Sequence, residues 1–332
     1  MPEIFCRKLL RGYVMVRNVT PTIEGGLLVS ITVILGLLTI YVPLVGIFVE
    51  FFFAVPVAVL TARQGADKGL CALFVASVLL SMLIGAPFAL RICLSVGLCG
   101  VAFGWCVRRN FNAVQIFFVT LMVASAAQIV SIALASLLLD VDIIGVQMNL
   151  LRESFDESFN FYESIGVDKT QITQTRALTD SLLNLVAFVI PSLLMFAALV
   201  NAVTTYLTSQ WIFAKLGVKL PKMPDFAAWR FPSLFFYLAV VGGLCWYWGS
   251  TRNWIGIYQI ALNLLCVSLI IGFVQGLAIL SALSDRLKLS KLVRVLLYTV
   301  VILTPFLLQF TAVFGLVDTV FDYRKRFLSD GR

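Results

Sequence analysis

One carboxylate, Glu50, sits inside the apolar run YVPLVGIFVEFFFAVPVAVLT (residues 41–61), between Pro43 and Pro56. A charge at the centre of a bilayer costs roughly 3 kcal/mol or more, so such a group needs a partner, a cavity or a substrate path. The two prolines predict helix breaks on either side of it, and backbone freed in lipid must be satisfied by protein or by cavity water. Glu50 is therefore the first candidate for contact with a polar solute. Arg91, at the start of the apolar run 89–107, is the second. Counted from the outer face the two lie within a turn or so of each other, so an ion pair is geometrically allowed, and either group could instead hold a charged substrate group. The plainer readings are a snorkelling Arg91 and a protonated, hydrogen-bonded Glu50. Asn184, at the same level, and Gln128, deeper, complete the candidate binding set. Asn201, Gln259, Asn263, Gln275 and Gln309 are further amides inside apolar runs. The default role of such groups is bonding between helices, worth about 0.6–2 kcal/mol each.

No enzymatic constellation accompanies these residues. The chain has no histidine, which removes the commonest general base and metal ligand. It carries no HExxH, GxSxG or Walker A pattern. The reading is a protein that is not an enzyme and holds no cofactor or metal. Any ATP hydrolysis must come from other chains. Cysteines 6, 71, 93, 99, 106, 245 and 266 show no CxxC spacing, and all but Cys6 lie in apolar runs, as small buried residues do.

The elements that position these residues follow from composition. Of 332 residues 61% are hydrophobic and 13% charged, against about 25% charged in a soluble domain. The fold class is all-α, a polytopic transmembrane bundle with the lipid bilayer as its first partner. Nine apolar runs approach the ~20 residues a spanning helix needs: 22–41, 44–61, 69–87, 89–107, 113–139, 181–213, 232–249, 255–282 and 294–317. The net charge of +8 does not indicate nucleic acid, because the bases occupy short loops. With the N-terminus inside, sixteen Lys and Arg fall on inner loops and five (Arg91, Arg152, Lys169, Arg176, Arg252) on outer ones, as topology requires. Nine spans put Arg324, Lys325, Arg326 and Arg332 outside, against that rule.

The domain reading is a basic cytoplasmic tail (1–21), a six-helix membrane domain (22–214), three further spans (215–317) and a basic tail (318–332). Within the second, residues 140–180 hold eight acids and three bases. There Ile144, Met148, Leu151, Phe155, Phe159 and Tyr162 recur at helical spacing. This is a surface-resting amphipathic helix or a lid over an outward pocket. The stretch LPKMPDFAAWRFPS (220–233) is a cytoplasmic elbow, or a docking surface for a partner. Small residues four apart, at Ala54/Ala58/Ala62, Gly100/Gly104, Ala198/Ala202 and Gly272/Gly276, mark close helix contacts.

The run VIPSLLMFAALVNAVTTYLTSQWIFAKLG, the elbow, the segment VQGLAIL and the ending GLVDTVFDYRKRF resemble the YybS-like family of bacterial membrane proteins, a domain of unknown function. The resemblance extends from about Thr22 to Phe327. The first six spans are in turn similar to the substrate-binding S-components of energy-coupling-factor vitamin transporters, with GGLLVSITVILG, YVPLVG and RQGADKG in the corresponding places. This likeness implies capture of a small molecule near the outer side, coupled to a transmembrane protein and paired ATPases on other chains. The three spans after Lys215 have no counterpart in six-helix carriers, and no vitamin-recognition motif carries over.

Two functional expectations result. One is an S-component-like subunit that binds or transports a small solute through Glu50, Arg91, Asn184 and Gln128. The other is a non-transporting scaffold that assembles envelope proteins through the small-residue stripes and the elbow.

Overall fold

The computed structural model describes residues 21–140, 142–218 and 220–323, and all regular structure among them is helical. In chain order the helices are α1 (Pro21–Tyr41), α2 (Pro43–Gln64), α3 (Ala66–Ile84), α4 (Ala86–Arg108), α5 (Ala113–Leu139), α6 (Ile143–Ser164) and α7 (Lys169–Lys215). They continue with α8 (Leu234–Thr251), α9 (Ile255–Arg286), α10 (Lys291–Leu303) and α11 (Pro305–Phe321). Eight of these are long and apolar enough to cross a membrane. The ninth apolar run is two helices, α10 and α11, bent by 99° at Thr304–Pro305, where proline withholds its N–H and restricts the residue before it. The all-α, multi-pass architecture stands. The basic tail read over residues 1–21 and the bases after Tyr323 lie outside the described residues, save Pro21.

Of the two helix breaks predicted around Glu50, the one at Pro43 forms, at Val42 between α1 and α2, and the one at Pro56 does not. Pro43 occupies the first turn of α2, where a missing N–H costs nothing, and α2 runs on through Pro56 to Gln64. Connections α2–α3 and α3–α4 are single glycines, Gly65 and Gly85, with φ of 109° and 91°, a region only glycine enters freely.

The chain divides into two compact units that do not follow chain order. Of the described residues, the first comprises those within 21–147 and 197–222. Its core is the second half of α2, where Phe53 through Thr61 are all buried, packed on Leu73 and Leu80 of α3 and on Ile92 and Val96 of α4. The second comprises residues 148–196 and 223–323. It contains most of α6, the first part of α7, and α8 to α11.

Candidate functional site

The first unit holds Glu50, one turn before the packed half of α2. Packing begins immediately after it. The Phe51 carbonyl accepts a hydrogen bond from Thr208 Oγ1 of α7 at 3.1 Å, and Phe52 stands edge-on to Trp211 at 6.2 Å. Further along, α4 lies so close to α2 that a methyl added at Gly100 or Gly104 would fall 2.3 Å from the carbonyl oxygen of Ala54 or Ala58. The Ala54/Ala58 and Gly100/Gly104 stripes are thus one helix contact, with backbones drawn together by small residues. Ala198 is fully buried with Cys99 and Ala124 in a separate cluster. The basic ends of these helices are tied as well. Arg63 pairs with Glu24, Gln64 donates to the Pro21 carbonyl at 2.9 Å, and Arg108 donates to the Arg63 carbonyl at 3.0 Å.

Glu50 itself is half-buried and has no hydrogen-bond or ion-pair partner among the described residues. Arg91 is exposed in α4, and no ion pair joins it to Glu50. Gln128 is half-buried in α5, where its backbone carbonyl accepts from Ser131 Oγ at 3.3 Å. Asn184 belongs to the second unit, where its Oδ1 accepts from Arg152 of α6 at 3.1 Å. Among the described residues of the first unit, Glu50, Arg91 and Gln128 are not bonded to one another.

The second unit contains a polar knot of which the sequence reading named Gln275 but not its partner Asp318. Gln275 of α9 and Asp318 of α11 are 2% and 3% exposed. Gln275 Nε2 donates to Asp318 Oδ2 at 2.8 Å, and its Oε1 accepts the backbone N–H of Phe231 in the elbow at 3.2 Å. Next to it, Arg230 pairs with Asp322 at 2.9 Å. The knot forms where Gly272 and Gly276 of α9 cross Thr311, Ala312 and Gly315 of α11. A methyl on Gly315 would lie 1.9 Å from the Gly272 carbonyl oxygen. Asp318 escaped notice because the ninth run was ended at 317 and the acid assigned to a tail. The signal was present in Val317, Val320 and Phe321, which continue the apolar periodicity past it.

A second amide acts on backbone directly. Pro191 interrupts the hydrogen-bond ladder of α7. Asn263 of α9 fills the gap: its Oδ1 accepts the Ser192 N–H at 3.0 Å and its Nδ2 donates to the Phe188 carbonyl at 2.8 Å. This is the re-satisfaction of freed groups that a proline in an apolar helix demands.

Comparison with known proteins places these residues. The model of a family described as "Predicted membrane protein (DUF2232)" matches residues 30–319. The chain belongs to this family. A relative is the "Uncharacterized protein YybS" of Bacillus subtilis (strain 168), 20% identical over 303 residues that cover 91% of this chain and 97% of the relative. No solved structure matches, so the likeness of the first six spans to S-components has no support from a solved fold. Within this DUF2232 chain the matched region takes in Glu50, Asn263, Gln275 and Asp318 and leaves out Glu24 and Asp322. Of the four stretches that carried the resemblance to the family, three, the elbow, VQGLAIL and GLVDTVFDYRKRF, are joined at the Gln275–Asp318 knot.

Proposed function

We propose that this multi-pass membrane protein binds a small solute and takes part in moving it across the bacterial inner membrane, with Glu50 as the polar contact. One observation carries the reading: a carboxylate in the middle of a membrane helix has no protein partner among the described residues. A structural acid at that place would be hydrogen-bonded, because an unpaired polar group in lipid costs several kcal/mol. A solute bearing a cationic or hydrogen-donating group supplies what the protein does not. In the S-component-like version of this proposal, a transmembrane coupling protein and ATPases on other chains provide the energy. The chain itself acts without enzymatic chemistry.

The alternative, a scaffold for envelope proteins, drew on the small-residue stripes. All four stripes are spent on contacts within the chain, Ala54/Ala58 against Gly100/Gly104, Gly272/Gly276 against α11, and Ala198/Ala202 fully buried, Ala198 beside Cys99 and Ala124. That use favours the solute reading.

Native mass spectrometry of protein purified in mild detergent tests it. The wild type should carry a small-molecule adduct that Glu50→Gln loses while inserting at the wild-type level. A wild type without an adduct, or a variant that keeps it, would overturn the reading.

A further inference from the structure

Helix α7 has 47 residues and at 1.5 Å per residue is about 70 Å long, more than twice the ~30 Å of bilayer hydrocarbon. Its beginning, which carries Lys169, Arg176 and Asp180, is polar and continues past the membrane. The charge distribution of the loops assigns that side to the exterior. Helix α6 runs antiparallel alongside. Lys169 pairs with Glu163 at 3.1 Å, Arg176 pairs with Asp156 at 3.5 Å and covers the Phe159 ring at 5.4 Å, and Arg152 reaches Asn184. Met148, Phe159, Ile172 and Leu183 are buried. The amphipathic helix read from the sequence is therefore one arm of a helical hairpin.

These contacts use every base between residues 140 and 180. Glu153 and Glu157 have no ion-pair partner among the described residues, so the uncommitted charge of the hairpin is negative. The same exposed face of α6 bears a shallow hollow of about 320 Å³ lined by Ser154, Glu157, Ser158, Phe161 and Tyr162. Phe161 is 61% exposed and Tyr162 49%. Exposed aromatic rings beside a hollow are the usual anchors of protein contacts.

We propose that this face of α6 docks a basic amphipathic helix of another envelope protein, its apolar side against Phe161 and Tyr162 and its Lys or Arg over Glu153 and Glu157. Charge selects this occupant. A second copy of the chain would set acid against acid, and an anionic lipid surface would be repelled in the same way.

Photocrosslinking in cells, with benzoylphenylalanine in place of Phe161 in the full-length protein, tests the proposal. The expected product is one adduct with a different protein, through a segment with more Lys and Arg than Asp and Glu. The adduct should fall at least tenfold in Glu153→Lys/Glu157→Lys and be absent when the probe replaces Leu244. Should the lysine pair lower the amount of inserted protein, Glu153→Gln/Glu157→Gln should still weaken the adduct at unchanged amount. No adduct, an adduct between two copies or with lipid alone, an acidic partner segment, or a yield indifferent to both pairs would overturn it.

Discussion

The Asn263 carboxamide takes the place of a backbone hydrogen bond beside Pro191, accepting from the Ser192 N–H at 3.0 Å and donating to the Phe188 carbonyl at 2.8 Å. The Ser192 hydroxyl donates to the same Oδ1 at 2.6 Å, and Nδ2 also reaches the Gln259 carbonyl at 2.8 Å. One side chain of α9 thus bonds two backbone groups of α7 beside the proline and anchors itself on its own helix. A proline is sustained in a long apolar helix because a neighbour repairs it.

Asn263→Leu should therefore destabilise the protein by about 1–3 kcal/mol, since it leaves buried backbone groups unpaired. Pro191→Ala restores an N–H to α7. In that background the ladder closes with less help, and the cost of Asn263→Leu should shrink. A double-mutant cycle on thermal melting in detergent measures the coupling. Equal costs in the two backgrounds would mean that the amide is not repairing the proline.

Gly315 and Gly243 make opposite forecasts for the same substitution. A methyl at Gly315 meets the Gly272 carbonyl oxygen at 1.9 Å and the Gly276 nitrogen at 2.5 Å, whereas one at Gly243 meets nothing within 4 Å. Gly315→Ala must push α9 and α11 apart and should cost about 1–3 kcal/mol. Gly243→Ala adds helix propensity in open space and should be neutral or stabilising by about 0.5–1 kcal/mol. Melting temperatures of the two variants against wild type decide this.

At the knot, Asp318→Leu strips Gln275 Nε2 of its acceptor and should lower stability by about 1–3 kcal/mol. Asp318→Asn keeps an acceptor oxygen in the same place and should melt close to wild type. If both variants melt alike, hydrogen bonding to Gln275 is not what Asp318 contributes. If the asparagine variant folds but fails in cells, the carboxylate has a role beyond holding α9 to α11.

Much of this architecture was legible because its causes are local. Long apolar runs between basic loops gave the spanning helices, and helical spacing of Met148, Phe155 and Phe159 gave α6. The role expected of Asn263 and Gln275, bonding between helices, is the one they fill. Other features depend on non-local contacts. Pro56 looked like a break and is absorbed into α2, since a buried helix tolerates one missing bond. The Glu50–Arg91 pair was allowed by depth along each helix, but depth says nothing about rotation, and the two side chains are not bonded. Asp318 was hidden by a boundary placed one residue early. The pairing of α6 with α7 was invisible because a polar segment near a membrane carries no mark of what it packs on.

The bend between α10 and α11 makes the last forecast, on the side of the C-terminus. Nine straight spans would put Arg324, Lys325 and Arg326 outside, against the charge rule that the other loops obey. The ninth run is instead folded by 99° at Thr304–Pro305. Its first helix is held to the basic α9–α10 loop, where Arg294 pairs with Asp285 and donates to the Leu289 carbonyl at 3.1 Å. Its far end is held to the elbow by the Arg230–Asp322 pair. Both anchors belong to segments that the loop charges assign to the cytoplasm, so the two ends of the folded pair face the same side. A reporter fused after Arg332 should read cytoplasmic, as should one inserted at Lys222, while one inserted at Gly166 should read external. A C-terminal reporter on the external side would mean that α10 and α11 cross the membrane after all, and that Arg230 and Asp322 meet within the hydrocarbon.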